Sequence, residues 1–347
     1  MVKLLITGGS GFFGTHLKRH LAQQNHQVVN FDLYEDPDDV RAGRMALGDL
    51  ADPDHVARCF RDHGPFDAVI HAAAALAHGV RSSKRLWLSN VTGTRNLVEA
   101  AVQDGVRSVI FTSSNCLWGR PLNRPVVEDD VPCPVEDYGR SKLEAERLLR
   151  GYSNRLHVII FRSPTILAAG RIGLLGILFD LILDGKRIPV VGRDKKPYQF
   201  ISADDYARAI HLALDYHASD TFHVGSDHPT SLEEAYQEVI RRAGSRARLY
   251  HLPKVPTIAL MKLLNRLRLS PLGPYHYRMI AEEFVFDTSH LKQTLGWRPT
   301  KTNGEILFEA FEYYRRYRHQ LWANRRNLPA HRRRASMGVI DLLRWVS

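Results

Sequence analysis

Short, largely apolar runs alternate with amphipathic stretches along most of the chain. Residues 2–6, 27–31, 66–70, 106–112 and 156–161 are such runs, the pattern of parallel strands covered on both faces. Residues 45–50 add a shorter one. Leu17 and Leu21 mark one face of a helix after the first run, residues 54–63 read as a short helix, and a longer helix runs from about Leu86 through Ala101. Strand and helix in alternation predict an α/β fold with a doubly wound parallel sheet. The second half is more mixed. Residues 186–192 read as a strand and turn, 206–216 as a helix and 221–225 as a strand. Ser231 and Glu234 have capping-box spacing and open a helix over 232–243; another helix spans 305–314. Residues 172–183 are apolar on nearly all sides, which favours a packed helix over the lining of an apolar pocket. Residues 258–267 are amphipathic; ordinary packing is preferred there over covering a pocket or touching a membrane.

At 347 residues the chain can bury a full α/β core and a second, smaller unit. It contains no run of 18 apolar residues, so no spanning helix is expected. The first strand begins at once, which leaves no room for a signal peptide. Cys59, Cys116 and Cys133 form no metal or disulfide pattern and suit a reducing, cytoplasmic compartment. The net charge of +11 changes the picture only until it is located. Residues 315–347 hold nine arginines and one aspartate, a net +8, leaving +3 for the rest. Such a tail can dock on the body or on a second subunit, or settle on an anionic membrane surface. Nucleic acid ranks last, because charge is present without a recognition motif.

The candidate chemistry begins at Thr7-Gly8-Gly9-Ser10-Gly11-Phe12-Phe13-Gly14. Gly8 permits a sharp turn, Gly11 permits a pyrophosphate to approach the backbone, and Gly14 lets the following helix pack closely. The free N–H groups at that helix start would meet the phosphates. Asp32, at the end of the second run, can accept bonds from an adenosine ribose and repels a 2′-phosphate, which favours NAD over NADP. Asp49, at the end of the third, can reach an adenine edge. Ala72, Ala73 and Ala74 let a flat cofactor lie against the backbone, and Asn90 can bind backbone across the sheet. His71 reads as a packed, hydrogen-bonded histidine. Tyr138 and Lys142 stand four apart on one helix face. A free tyrosine is a poor base at neutral pH; an adjacent ammonium and a positive nicotinamide favour its phenolate. Ser114, at a strand's carboxyl end, can bond the same substrate oxygen. The three would manage an alcohol proton while a nicotinamide manages the hydride. No metal site is expected.

These motifs resemble the extended short-chain dehydrogenase/reductases, the NAD-dependent epimerase/dehydratase family, over residues 1 to about 315. The resemblance rests on the glycine stretch, Asp32, Gly48-Asp49-Leu50, His71-Ala72-Ala73-Ala74, Asn90, Thr112-Ser113-Ser114 and Tyr138-Gly139-Arg140-Ser141-Lys142. It implies a Rossmann-type sheet with NAD held by Gly8, Gly11, Phe12, Phe13, Gly14, Asp32, Asp49, Leu50, Ala72, Ala73, Ala74, Asn90, Thr112, Tyr138 and Lys142. It makes Tyr138 the general acid/base and Lys142 the holder of the nicotinamide ribose. The Ser of the triad precedes an aromatic-Gly pair by four residues, here Trp118-Gly119, which selects Ser114. It also implies a homodimer. Residues 1–165 are then the NAD-binding part, with 195–225 returning to it; 166–194 and 226–314 bind substrate, and 315–347 form the basic tail. Two departures bear on substrate. Thr165 stands where nucleotide-sugar enzymes of the family usually have Asn, and Tyr198-Gln199 where they often have Arg-Asp. Arg162, Arg171, Arg193 or Lys195 could substitute as diphosphate ligands. On this reading net oxidation or reduction of a secondary alcohol or ketone, on a fairly apolar substrate, is preferred. A nucleotide-sugar epimerase comes next, and a dehydratase last because Asn115 and Cys116 offer no carboxylate pair. An NAD-sensing scaffold is the non-enzyme alternative, and the intact triad argues against it.

Overall fold

The computed structural model describes residues 1–76, 82–173, 175–193, 195–267 and 282–323. Eleven strands occur among them: β1 (Lys3–Thr7), β2 (Gln27–Asp32), β3 (Met45–Leu47), β4 (Ala68–His71), β5 (Ser108–Ser114), β6 (His157–Ser163), β7 (Thr165–Leu167), β8 (Arg187–Val191), β9 (Phe200–Ser202), β10 (Asp220–His223) and β11 (Arg248–Leu252). Seven form one sheet in the order β10-β6-β5-β4-β1-β2-β3, and every pairing in it is parallel. The order reverses at β1, which lies between β2 and β4, so a crevice opens there at the carboxyl ends of the strands. This is the doubly wound, Rossmann-type architecture.

Alternation along each strand divides the core between the two faces. Leu4 and Ile6 of β1 join Leu17, Leu21, Tyr206 and Ile210 on one side. Leu5 between them joins Leu97, Val98 and Leu149 on the other. The helix Ala203–Ala213 is opened by Ser202, whose hydroxyl accepts from the Asp205 N–H; it packs against the helix Phe12–Gln23. β10 then adds to β6 in parallel at the edge of the sheet.

A second core forms from Phe179, Ile182, Val239, Ile306, Phe311 and Tyr314. The apolar stretch around residues 172–183 is therefore core: the helix Leu175–Leu183 buries Leu178, Phe179, Leu181 and Ile182. The capping box at Ser231 and Glu234 is formed as the spacing predicts. The amphipathic stretch differs. Its helix, Lys254–Arg266, contains no buried residue, and residues 268–274, which continue that stretch, lie outside the described residues. The last helix, Asn303–Ala323, runs through residue 315, where the sequence places the start of the basic tail. Arg318 is held there by Asp180 at 2.9 Å and Asp184 at 3.1 Å. The later clusters, Arg325-Arg326 and Arg332-Arg333-Arg334, and the final amphipathic segment lie outside the described residues. Among the described residues no helix is long and apolar enough to cross a membrane.

Candidate active site

The glycine turn connects β1 to the helix Phe12–Gln23 and faces the loop after β4. Gly8 has φ +78°, and a Cβ there would lie 2.6 Å from the Ala73 backbone nitrogen. Gly14 faces the backbone of Gly8 and Gly9, so the close packing that it allows is of the helix on the turn. At Gly11 an added Cβ would meet one atom within 4 Å among the described residues, the Gly8 carbonyl oxygen, 3.1 Å away. The helix start has no side-chain cap and no acid in its first turn, which leaves its N–H groups for an anion. The Phe12 and Phe13 side chains turn inward: Phe12 packs with Ala168 and Ala203, and Phe13 stacks on Tyr206 at 4.5 Å. Their contribution to a phosphate is through the backbone.

Asp32 ends β2, and its carboxylate accepts from the Ser10 N–H at 3.0 Å and the Tyr34 N–H at 3.1 Å. Burial pushes its carboxyl up; those bonds, that of Leu33 and nearby Lys18 oppose the shift. The loop beyond it is pinned by Lys18, which pairs with Asp36 at 2.8 Å and with Asp39. Asp49 accepts from the Ala51 N–H at 2.9 Å, and Leu50 packs under Gly93.

Around His71 the hydrogen bonds define a neutral ring. The Thr94 hydroxyl donates to the Asn90 carbonyl at 2.6 Å, so it accepts from His71 Nε2–H at 2.9 Å. Nδ1 then accepts from the Thr7 hydroxyl at 2.7 Å. Burial, with Lys142 nearby, takes the imidazole down to about 3; it is a strut that ties β1 and β4 to the helix Gly93–Gln103. Thr112 donates to the His71 carbonyl at 3.3 Å. Asn90 sits in a π-helical turn, Leu88–Thr92. Its Oδ1 accepts from the Ala75 N–H at 2.7 Å, and its Nδ2 donates to the Ala75 carbonyl and the Ser141 hydroxyl, each at 3.0 Å. Ser141 in turn donates to the Tyr138 carbonyl at 2.8 Å. Asn90 thus ties the cofactor-side loop to the helix Asp137–Arg150, and its amide is fully engaged by protein.

That helix carries Tyr138 and Lys142. Lys142 is 2 % exposed and lies 4.0 Å from the Phe111 ring centroid. Its ammonium has no hydrogen-bond acceptor among the described residues. Burial brings it down to about 7, with Glu146 and Cys116 acting against that. Burial pushes the Tyr138 phenol up, with Cys116 adding to the shift and Ser114 and Arg171 opposing it. Ser114, at the end of β5, accepts from the Cys116 N–H at 3.2 Å. The site therefore presents a neutral phenol, a hydroxyl and a lysine whose own pKa is near neutrality. Cys116 is held as a neutral thiol, pushed up to about 12 chiefly by burial. Asn115 and Cys116 supply no ionisable acid/base pair.

Three features fit NAD: the side-chain-free cradle at Gly8, the uncapped helix start and the Lys142 ammonium, which has no acceptor among the described residues. Sequence inspection missed Ser141, which anchors the Tyr138 turn, and Phe111, which supports Lys142. Their signals, a small residue between Tyr and Lys and an aromatic at a strand end, are too common to stand out. Arg162, a candidate for diphosphate binding, is excluded from that role. It is buried, bonds both Glu146 oxygens at 3.1 and 2.8 Å, and donates to the Glu128 carbonyl. Gln199 is likewise internal, bonding Ser226 and Phe286.

The buried charge of Lys142 gives a pH prediction. Its folded value near 7 lies below the unfolded lysine value of about 10.4. Between the two the unfolded chain binds the extra proton, so stability rises with pH, by up to about 1.4 kcal/mol per unit. Lys142→Met in NAD-free protein should gain most over wild type at pH 7 and below, the gain shrinking toward pH 10. Urea unfolding at several pH values measures it; a pH-independent difference contradicts the buried charge.

A family model, the NAD dependent epimerase/dehydratase family, matches residues 4–225. The chain is 34% identical over 319 residues to the uncharacterized protein y4nG of Sinorhizobium fredii (strain NBRC 101917 / NGR234), covering 91% of this chain and 80% of that protein. It is 26% identical over 329 residues to a UDP-glucose 4-epimerase of Streptomyces lividans, covering 90% and 96%. Its fold matches the UDP-glucose-4-epimerase of Stenotrophomonas maltophila, solved with NAD and formylated UDP-arabinopyranose. The TM-score is 0.76 at 24% identity over 92% of this chain and all of that one.

Proposed function

The chain belongs to the NAD dependent epimerase/dehydratase family, and from that premise we propose that it is a nucleotide-sugar epimerase. It is an NAD-dependent enzyme of hydride transfer at a secondary alcohol or ketone; what is proposed is that the hydride returns to the same substrate. The observation that carries this reading is similarity to UDP-glucose 4-epimerases along nearly the whole chain, 90% of it for the Streptomyces enzyme. That similarity reverses the order drawn from sequence, in which a net dehydrogenase stands first. Of the two supports for an apolar substrate, the apolar stretch at 172–183 also falls, because the helix Leu175–Leu183 is core, as its pattern favours; the other is the absence of the usual diphosphate ligands at Thr165 and Tyr198-Gln199.

In the proposed mechanism Tyr138 takes the proton of the sugar hydroxyl and later returns it to the rebuilt alcohol. Ser114 bonds the same oxygen and holds it beside the phenol. Lys142 binds the nicotinamide ribose and, charged, lowers the cost of the phenolate. NAD, when bound, supplies hydride acceptance and return. Asn90 and Ser141 hold the Tyr138 turn against the cofactor-side loop. The glycine turn, Phe12 and Phe13 offer backbone to the pyrophosphate. Asp32 would accept hydrogen bonds from the adenosine ribose hydroxyls, Asp49 and Leu50 would hold the adenine, and Ala72, Ala73, Ala74 and Thr112 would take the rest of the cofactor. Residues 1–165 with 195–225 are assigned to NAD, and 166–194 with 226–314 to substrate. A homodimer and a cytoplasmic location complete the proposal, with the basic tail, residues 315–347, read first as docking on the body or a second subunit and next as a peripheral membrane contact. Light scattering and sedimentation with anionic vesicles test the dimer and the membrane contact.

UDP-glucose is the first substrate to try, with chromatography of the products and absorbance for NADH. Conversion to UDP-galactose without NADH supports the epimerase; stoichiometric NADH overturns it. Asp32→Ala should narrow the preference for NAD over NADP by about tenfold or more, since the charge that repels a 2′-phosphate is gone. Competition binding of the two nucleotides measures this, and an unchanged ratio removes Asp32 from the ribose site.

A further inference from the structure

One cation in the cleft is not used by the catalytic triad. Arg171 follows β7 on the segment that leaves the sheet, and its guanidinium carbon lies 5.3 Å from the centroid of the Phe12 ring. Phe12 is the first residue of the uncapped helix at the glycine turn. The same segment packs there, Ala168 against Phe12. Arg171 is also close enough to Tyr138 that each favours the charged form of the other.

The guanidinium makes no hydrogen bond or ion pair with any described residue. The other arginine considered for an anion, Arg162, is fully satisfied by Glu146 and the Glu128 carbonyl. Arg193 and Lys195 lie in the loop after β8, where Lys195 is 4.0 Å from Glu234. A partly buried guanidinium resting on an aromatic ring without an acid keeps its N–H fork for a bound anion. Its contact with the first residue of a helix start suited to phosphate, and its coupling to the reacting phenol, narrow the anion. Both ligands of the proposed reaction, NAD and a nucleotide sugar, carry a diphosphate.

We propose that Arg171 grips a diphosphate across the cleft, a task for which the side chains of Thr165, Tyr198 and Gln199 carry no positive charge. It is a binding and specificity residue; the proton chemistry stays with Tyr138. The inference rests on the nucleotide-sugar reading for one of the two diphosphates and on the NAD site for the other.

Arg171→Gln and Arg171→Lys in the full chain test it, with calorimetric titration of NAD and of UDP. Arg171→Gln should weaken one of the two by about tenfold or more, the size of one charge-assisted pair, and Arg171→Lys should weaken it less. A loss for UDP alone assigns the grip to the substrate; a loss for NAD alone assigns it to the cofactor. Unchanged affinity for both, in variants that unfold at the wild-type temperature, overturns the proposal. If Arg171→Gln does not fold, Arg171→Lys decides: a charge-retaining variant that binds both ligands as wild type, without the fork geometry, also overturns it. If the wild type neither binds UDP nor converts UDP-glucose, the nucleotide-sugar reading fails on its own. The NAD titration then still decides the role of Arg171.

Discussion

Tyr138→Phe should lower turnover by about 10²–10⁴-fold, the usual contribution of one positioned acid/base, while NAD binding stays near that of wild type. The substitution removes one oxygen and keeps the ring. The turn holding it, from Asn90 through Ser141 to the Tyr138 carbonyl, depends on backbone and on other side chains. Folding and the cofactor cradle should therefore survive. Burial already pushes the phenol up, so the residue is poorly suited to ionise alone. It needs the charge of Lys142 and of the bound cofactor, and Lys142, committed to the nicotinamide ribose, does not replace the lost oxygen. Cys116 is a neutral thiol, and His71 is locked between Thr7 and Thr94. Single-turnover kinetics and NAD titration on one preparation separate the two effects. Turnover within a few-fold of wild type would remove Tyr138 from the acid/base role.

Gly8→Ala should cost both stability and cofactor affinity. Two independent effects act at this residue. Its φ of +78° is a backbone region that costs an L-residue roughly 1–2 kcal/mol. The added methyl would also lie 2.6 Å from the Ala73 nitrogen and 2.7 Å from its Cα, and overpacking of that kind costs about 1–3 kcal/mol. The neighbour is backbone tied to Thr7 through the Ala72 and Ala73 N–H groups, so relief requires the turn and the loop to separate. That movement opens the crevice where the pyrophosphate and nicotinamide would lie. Thermal unfolding and NAD titration should both show the effect. By contrast Gly43, with φ +63° and nothing within 4 Å, carries the first penalty alone. Gly43→Ala should lower stability without changing NAD affinity.

Much of this is legible in the chain because it depends on local rules. Apolar runs mark the strands of the main sheet to within three residues, since a strand covered on both faces has no polar face to show. Ser231 and Glu234 mark a helix start through a three-residue spacing. The glycines, Asp32, Ser114, Tyr138 and Lys142 stand at the ends of strands or one turn apart on a helix. What stays hidden depends on distant partners. Nothing near Arg162 in sequence announces Glu146 as its fork, and Arg171 looks like the other arginines until Phe12 and Tyr138 are placed beside it. The apolar stretch at 172–183 favours core by its pattern, yet a pocket lining stays open until Phe311 and Tyr314, more than a hundred residues on, cover it. The apolar substrate drawn from sequence loses one of its two supports there, and similarity to UDP-glucose 4-epimerases displaces it: the substrate half of the chain is where long-range packing decides which side chains are free.

The most direct measurement is to supply UDP-glucose deuterated at the sugar C4 to the NAD-loaded enzyme and follow the label in both sugar epimers and in free cofactor. The proposed function predicts UDP-galactose carrying the deuterium at C4, with no NADH released. Deuterium appearing in free NADH, with an oxidised sugar accumulating in equal amount, would contradict the return of the hydride and make the protein a net dehydrogenase.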